Sequence, residues 1–151
     1  GISMVPTLQD GDRLLAVSSL LYHDYQPGDI VIARKETLTA DPIVKRIIAV
    51  EGQTVDIDFD TGTVYVDGEA LEEEYINELT LTDEGTVFPL VVPEGSVFLM
   101  GDNRNHSSDS RSSRLGTVDT RYLIGKAVVL LYPGKDSVTG ERDFSRIGLL
   151  D

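Results

Sequence analysis

Two short stretches of this chain carry the residue types that nucleophilic chemistry needs. The first is Gly1-Ile2-Ser3-Met4-Val5-Pro6-Thr7-Leu8, where Gly permits close backbone approach and Pro fixes φ. A rigid loop of this kind can expose the Ser3 hydroxyl and leave backbone N–H groups free for a developing oxyanion. A serine holds its proton too tightly at neutral pH to attack unaided, so it needs a base. His23 and His106 stand far apart and offer no context for that task. The second stretch is Ile43-Val44-Lys45-Arg46-Ile47-Ile48-Ala49-Val50. In a strand, Lys45 shares a face with Ile43 and Ile47, and Arg46 with Val44 and Ile48. At least one cation therefore lies among apolar neighbours. Burial disfavours the charged amine and lowers it from a reference of ~10.4, so a buried Lys45 can accept a serine proton. The plainer outcome is an edge strand from which Lys45 runs its ammonium out to water.

A third stretch, Gly101-Asp102-Asn103-Arg104-Asn105-His106-Ser107-Ser108-Asp109-Ser110-Arg111, follows the apolar Val97-Phe98-Leu99-Met100. It is too polar for a core and richer in pairable groups than a surface turn requires. Asp109 can pair with Arg111, and Asp102 with Arg104 or Arg46. A serine here can orient a neutral lysine amine, as Asp orients His in a triad. The plainer reading is a hydrogen-bonded loop that closes the fold.

The elements that must hold these stretches are mostly β. Short alternating or apolar runs recur between Gly, Pro and Asp, which predicts strands over 12–17, 29–34, 43–50, 54–59, 63–66, 86–91, 96–100 and 126–132. Asp60-Thr61-Gly62 is hairpin turn chemistry. A helix is predicted over 119–124, with Asp119 as N-cap and Gly125 as stop. Residues 69–79 read equally as a helix or a solvated loop, and 133–151 as a polar, peripheral tail. The 151 residues fit a single domain, with a core of about 1–58 and 96–132 and an acidic β insert of about 59–95.

Thirteen Lys and Arg face 26 Asp and Glu, a net charge of −13. All of the excess lies in Glu51–Glu94, which has 13 acids and no base, and reads as a solvated face or insert. The balance argues against nucleic acid as a partner, since that requires a basic surface. With no cysteine, disulfides, thiol nucleophiles and Cys-ligated zinc are excluded, and no apolar run approaches the ~20 residues of a membrane span.

Taken in order, SMVPTLQDGDRLL, QPGDIVIA, VKRIIAVEGQTVDI, VYVDGEAL, VFLMGDNRNHSSDSR and IGKAVV resemble the bacterial type I signal peptidases, over roughly residues 1–132. The resemblance implies an antiparallel β-barrel-like catalytic core with a β-rich acidic insert. It also implies a serine endopeptidase without cofactor or metal, with Ser3 as nucleophile, Lys45 as base and Ser107 positioning the lysine. Asp109, Arg111, Asp102 and Arg46 become the supporting ion pairs, and the oxyanion hole the Ser3 N–H with a backbone donor at Gly1. Met4, Leu8, Ile43 and Val44 become walls for small-x-small (Ala-x-Ala) cleavage sites. The implied partners are signal peptides of secretory pre-proteins, and the implied location is the extracytoplasmic face of the cell membrane, through an N-terminal anchor expected before residue 1. A self-cleaving repressor-like Ser–Lys peptidase and a non-catalytic β-domain binding exported peptides are the alternatives.

Overall fold

The computed structural model describes residues 1–35 and 41–150. Among them the strands are β1 (Arg13–Ser18), β2 (Ile30–Ala33), β3 (Ile43–Val50), β4 (Thr54–Asp58), β5 (Thr63–Val66), β6 (Glu69–Ala70), β7 (Leu90–Val91), β8 (Ser96–Met100), β9 (Val118–Asp119), β10 (Leu123–Tyr132) and β11 (Gly148–Leu149). They form two antiparallel sheets. One runs β1-β10-β2-β3-β8-β9 with β11 beside β10, and the other β6-β5-β4-β7. The first collects strands from both ends of the chain, and the second is built from residues 54–91 alone.

The eight residues of β3 are nearly all apolar because both faces are covered. Successive side chains of a strand point to opposite sides. Ile47 packs with Val31, Ala33, Val97 and Leu99, while Ile48 packs with Val55, Ile57, Val64, Phe98 and Met100. The second sheet therefore shares a core with β3 and β8. A third cluster, Met4, Leu8, Ile30, Ala127 and Leu130, seats the Ser3 loop against the first sheet. Burying Met4 and Leu8 contributes about 1.5–3 kcal/mol each.

Several expectations change. Residues 119–124 are not a helix: Asp119 does cap, accepting the Arg121 N–H at 2.8 Å, but it caps a single 3-10 turn, Thr120–Tyr122. Six residues cannot offset the cost of helix nucleation. Leu123 begins β10 instead, and Gly125 lies inside that strand, where a Cβ would sit 2.4 Å from the Val17 carbonyl oxygen. Of 86–91, Leu90–Val91 pair as β7, preceded by Pro89, which has no N–H to donate. Residues 69–79 form no helix, and Glu69–Ala70 pair with β5. The tail is largely exposed yet pinned. Its β11 pairs with β10, and Arg146 meets the buried Asp12 carboxylate at 2.5 Å.

Candidate active site

Gly101, at the end of β8, lets two loops meet. A Cβ there would lie 2.5 Å from the Ser3 carbonyl oxygen and 2.2 Å from Ser107 Oγ, so a residue without one is required. Across this contact the Asn103 N–H donates to the Ser3 carbonyl at 2.9 Å, and Asn103 Nδ2 to the Ile2 carbonyl at 3.0 Å. The Ser3 loop is thereby held by its own main chain rather than by the Ser3 side chain.

Lys45 stands in β3 opposite Val31 and is 4% exposed, so it does not run out to water. Its amine donates to Ser107 Oγ at 2.9 Å, and Ser107 Oγ donates to Asp109 Oδ2 at 2.9 Å. Asp109 is clamped by Arg111 through bonds of 2.9 and 2.8 Å and accepts the Gly101 N–H at 2.9 Å. Burial pushes Lys45 below its usual 10.5. The Asp109 and Glu84 charges oppose that shift, and Arg111 assists it. For Asp109, burial works upward, but the Arg111 guanidinium and the backbone N–H groups of Gly101 and Arg111 outweigh it and hold the carboxyl below 3.8. With the Ser107 proton directed at a charged Asp109, the Ser107 lone pairs face the lysine. A neutral amine so oriented keeps its own lone pair for another hydroxyl.

Arg46, 3% exposed on the opposite face of β3, makes a two-pronged bond to Asp102 at 2.8 and 2.7 Å. Asp102 also accepts from Thr7 Oγ1 at 2.5 Å, which ties this pair back to the Ser3 loop. Of the two partners open to Asp102, the structure selects Arg46. Arg104 instead donates to the Gly101 carbonyl and Thr80 Oγ1, both at 3.0 Å, and pairs with Glu73.

Ser3, Lys45, Gly1, Met4, Leu8, Ile43 and Val44 all line one groove of about 280 Å³. Met4 and Leu8 are buried in its floor, Ile43 and Val44 are half-buried, and the Gly1 amine pairs with Asp10. β3 pairs with β2 over Ile43–Arg46 but with β8 only from Arg46 onward. The backbone edge of residues 43–45 on the β8 side therefore has no strand against it among the described residues.

Most acids of the acidic stretch are exposed, as a solvated face requires, but its residues 73–84 also pack against the loop after β8. Tyr75 lies under the Arg46 guanidinium, 3.9 Å from charge to ring centre, and burial together with Glu73 pushes its hydroxyl up to about 12. Asn77 donates to Asn103 at 3.1 Å, and Asn105 bonds the backbone of Leu79 and Leu81 at 3.0 Å each. Glu73, Tyr75 and Glu84, with Thr7, Gly101 and Asn103, are site residues that sequence reasoning did not single out. Among the described residues, no group of three or more His, Cys, Asp or Glu could hold a metal ion, and no helix is long and apolar enough to cross a membrane.

Residues 1–132 match the family described as signal peptidase, peptidase S26. The chain is 39% identical over 140 residues to a Synechocystis protein named probable signal peptidase I-1, covering 87% of this chain and 67% of that protein. It is 37% identical over 141 residues to the signal peptidase I of Bacillus licheniformis, covering 88% and 74% respectively. A crystal structure of a signal peptidase I from Enterococcus faecalis superposes with a TM-score of 0.56 at 31% identity, covering 68% of this chain and 96% of that one.

Proposed function

Because the chain belongs to the signal peptidase family, peptidase S26, and is a serine peptidase of the type I signal peptidase kind, we propose that Ser3 and Lys45 form its catalytic dyad. The observation that carries this reading is the buried Lys45 amine, oriented by Ser107 at 2.9 Å, in the groove that Ser3 lines. Desolvation lowers the amine and so raises the share of lysine in the neutral, basic form. Ser3 Oγ attacks the scissile carbonyl as its proton passes to Lys45 Nζ, while the Ser3 N–H, with Gly1 beside it, faces the developing oxyanion. The Lys45 ammonium returns that proton to the leaving amine. Water then hydrolyses the ester between Ser3 and the new carboxyl terminus, again with Lys45 as base.

The substrate enters as an extended strand on the open edge of residues 43–45, its main chain hydrogen-bonded and alternate side chains aimed at the groove. Met4, Leu8, Ile43 and Val44 make the walls apolar, which suits small aliphatic side chains. This supports cleavage after small-x-small sites in the signal peptides of secretory pre-proteins, at the extracytoplasmic face of the cell membrane. The test is cleavage of a peptide with an Ala-x-Ala site by the wild type, Ser3→Ala and Lys45→Ala. Each substitution is expected to lower kcat by at least ~1,000-fold. Hydrolysis unchanged in both variants overturns the dyad.

A further inference from the structure

Lys45 alternates between a neutral amine and an ammonium, and the second state is a buried charge that needs a compensating one. Asp109 favours the ammonium, but the Arg111 guanidinium bonded to both of its carboxylate oxygens opposes that effect. A second carboxylate reaches the same place from the acidic stretch. Gly85 bridges Ser112 in antiparallel fashion, the Thr86 N–H donates to the Arg111 carbonyl at 3.0 Å, and the Ser113 N–H donates to the Glu84 carbonyl at 3.3 Å. This short pairing carries the Glu84 side chain to the Asp109 backbone N–H, within electrostatic reach of Asp109, Arg111 and Lys45. Its Oε2 is buried with no hydrogen-bond partner among the described residues.

We propose that Glu84 is a positioning residue of the reaction, supplying the negative charge that compensates the Lys45 ammonium whenever Lys45 holds the Ser3 proton. Glu84 takes no proton in the cycle. The proton leaves Ser3 Oγ, rests on Lys45 Nζ and departs with the leaving amine, and Glu84 lowers the cost of the middle state. The charged groups acting on Glu84 are Lys45 from β3 and Asp109 and Arg111 from the loop after β8. On balance burial and the Asp109 charge lift Glu84 above its usual 4.5, while Arg111, Lys45 and the Asp109 N–H oppose that rise. The inference rests on Lys45 as the base.

The experiment measures kcat against pH on the Ala-x-Ala peptide for the wild type, Glu84→Gln, Glu84→Asp and Lys45→Ala. Removing the Glu84 charge makes Lys45 easier to deprotonate, so in Glu84→Gln the acid limb moves to lower pH. At the plateau kcat falls about tenfold, because the ammonium intermediate is less stabilised. Glu84→Asp, which keeps the charge, returns the limb toward the wild-type position, a rescue that a purely structural role does not produce. A Glu84→Gln profile that overlays the wild type, with Lys45→Ala inactive, overturns the Glu84 proposal and leaves the dyad standing. An active Lys45→Ala overturns both. Should Glu84→Gln not fold, the carboxyl carbon-13 titration of Glu84 decides. Its midpoint must rise when Lys45 is replaced by Met, and an unchanged midpoint refutes the coupling.

Discussion

Replacing Gly101 with Ala separates geometry from chemistry in this site. The added Cβ would stand 2.5 Å from the Ser3 carbonyl oxygen, whereas ordinary contact begins at 3.4 Å, so the Ser3 loop must retreat by roughly 0.9 Å. Ser107 Oγ, at 2.2 Å, must also move, and it holds the Lys45 amine. Neither neighbour is the free end of a long side chain, so the strain falls on the groups that have to be aligned. A displacement near 1 Å costs on the order of 100-fold in rate. Overpacking of this kind costs about 1–3 kcal/mol in stability, or ~2–4 °C of Tm per kcal/mol for a chain this size. The assay pairs steady-state peptide cleavage with thermal unfolding, against Gly125→Ala as control. There a Cβ would meet the Val17 carbonyl oxygen at 2.4 Å, between β1 and β10, so stability should fall while kcat holds. A folded Gly101→Ala enzyme within threefold of wild-type kcat refutes the reasoning, as does an equal kcat loss in the control.

Lys45→Met should stabilise the fold at pH 7 by on the order of 1 kcal/mol, read as a higher Tm, since it removes an ionisable group whose burial is unfavourable. Because burial lowers Lys45 in the fold, the unfolded chain binds more protons between that lowered value and 10.5, and wild-type stability climbs with pH through this window. The gap to Lys45→Met must therefore narrow toward pH 10.5, and a constant gap in thermal melts counts against the burial argument. Asp109→Asn leaves the buried Arg111 uncompensated and should cost about 3–5 kcal/mol at pH 7. Asp109 is depressed in the fold, so its contribution is complete above 3.8 and fades as pH falls through the folded value; the two melting curves should converge there. Thr7→Val removes one donor to Asp102 and should cost about 1.5–3 kcal/mol, seen as a lower denaturation midpoint with unchanged slope.

The strand run around Lys45 left an edge position with the ammonium in water as the plainer outcome, and the cover of β2 and of the loop after β8 buries it instead. The run ending Met100 followed by eleven polar residues marked Ser107, Asp109 and Arg111 as a structured loop. β3, β5 and β8 matched their expected ranges, since Gly, Pro and Asp punctuate them closely. Thr7 was not legible, because its partner Asp102 lies 95 positions away and no local pattern announces such a bond. Glu84 sits in Thr82-Asp83-Glu84-Gly85-Thr86, which locally is a solvated turn and gains its burial from the bridge to Ser112. The helix over 119–124 was misread because six residues with a capping Asp and a following Gly suit one turn of 3-10 helix equally well.

The strapping of residues 73–84 across the loop after β8 has a consequence for how the enzyme comes apart. Residues 101–111 contain no strand or helix of their own, and beside the Asp109–Arg111 and Arg46–Asp102 pairs part of their order comes from Tyr75, Glu73, Asn77 and the backbone of 79–81. Segments that share their stabilising bonds open together rather than singly. The β6-β5-β4-β7 sheet, its strap and the lysine-orienting loop therefore form one cooperative opening unit. Amide exchange at Ser107–Arg111 should carry the free energy of that whole unit, and a cut between Tyr75 and Glu84 should release the loop as surely as a cut within it.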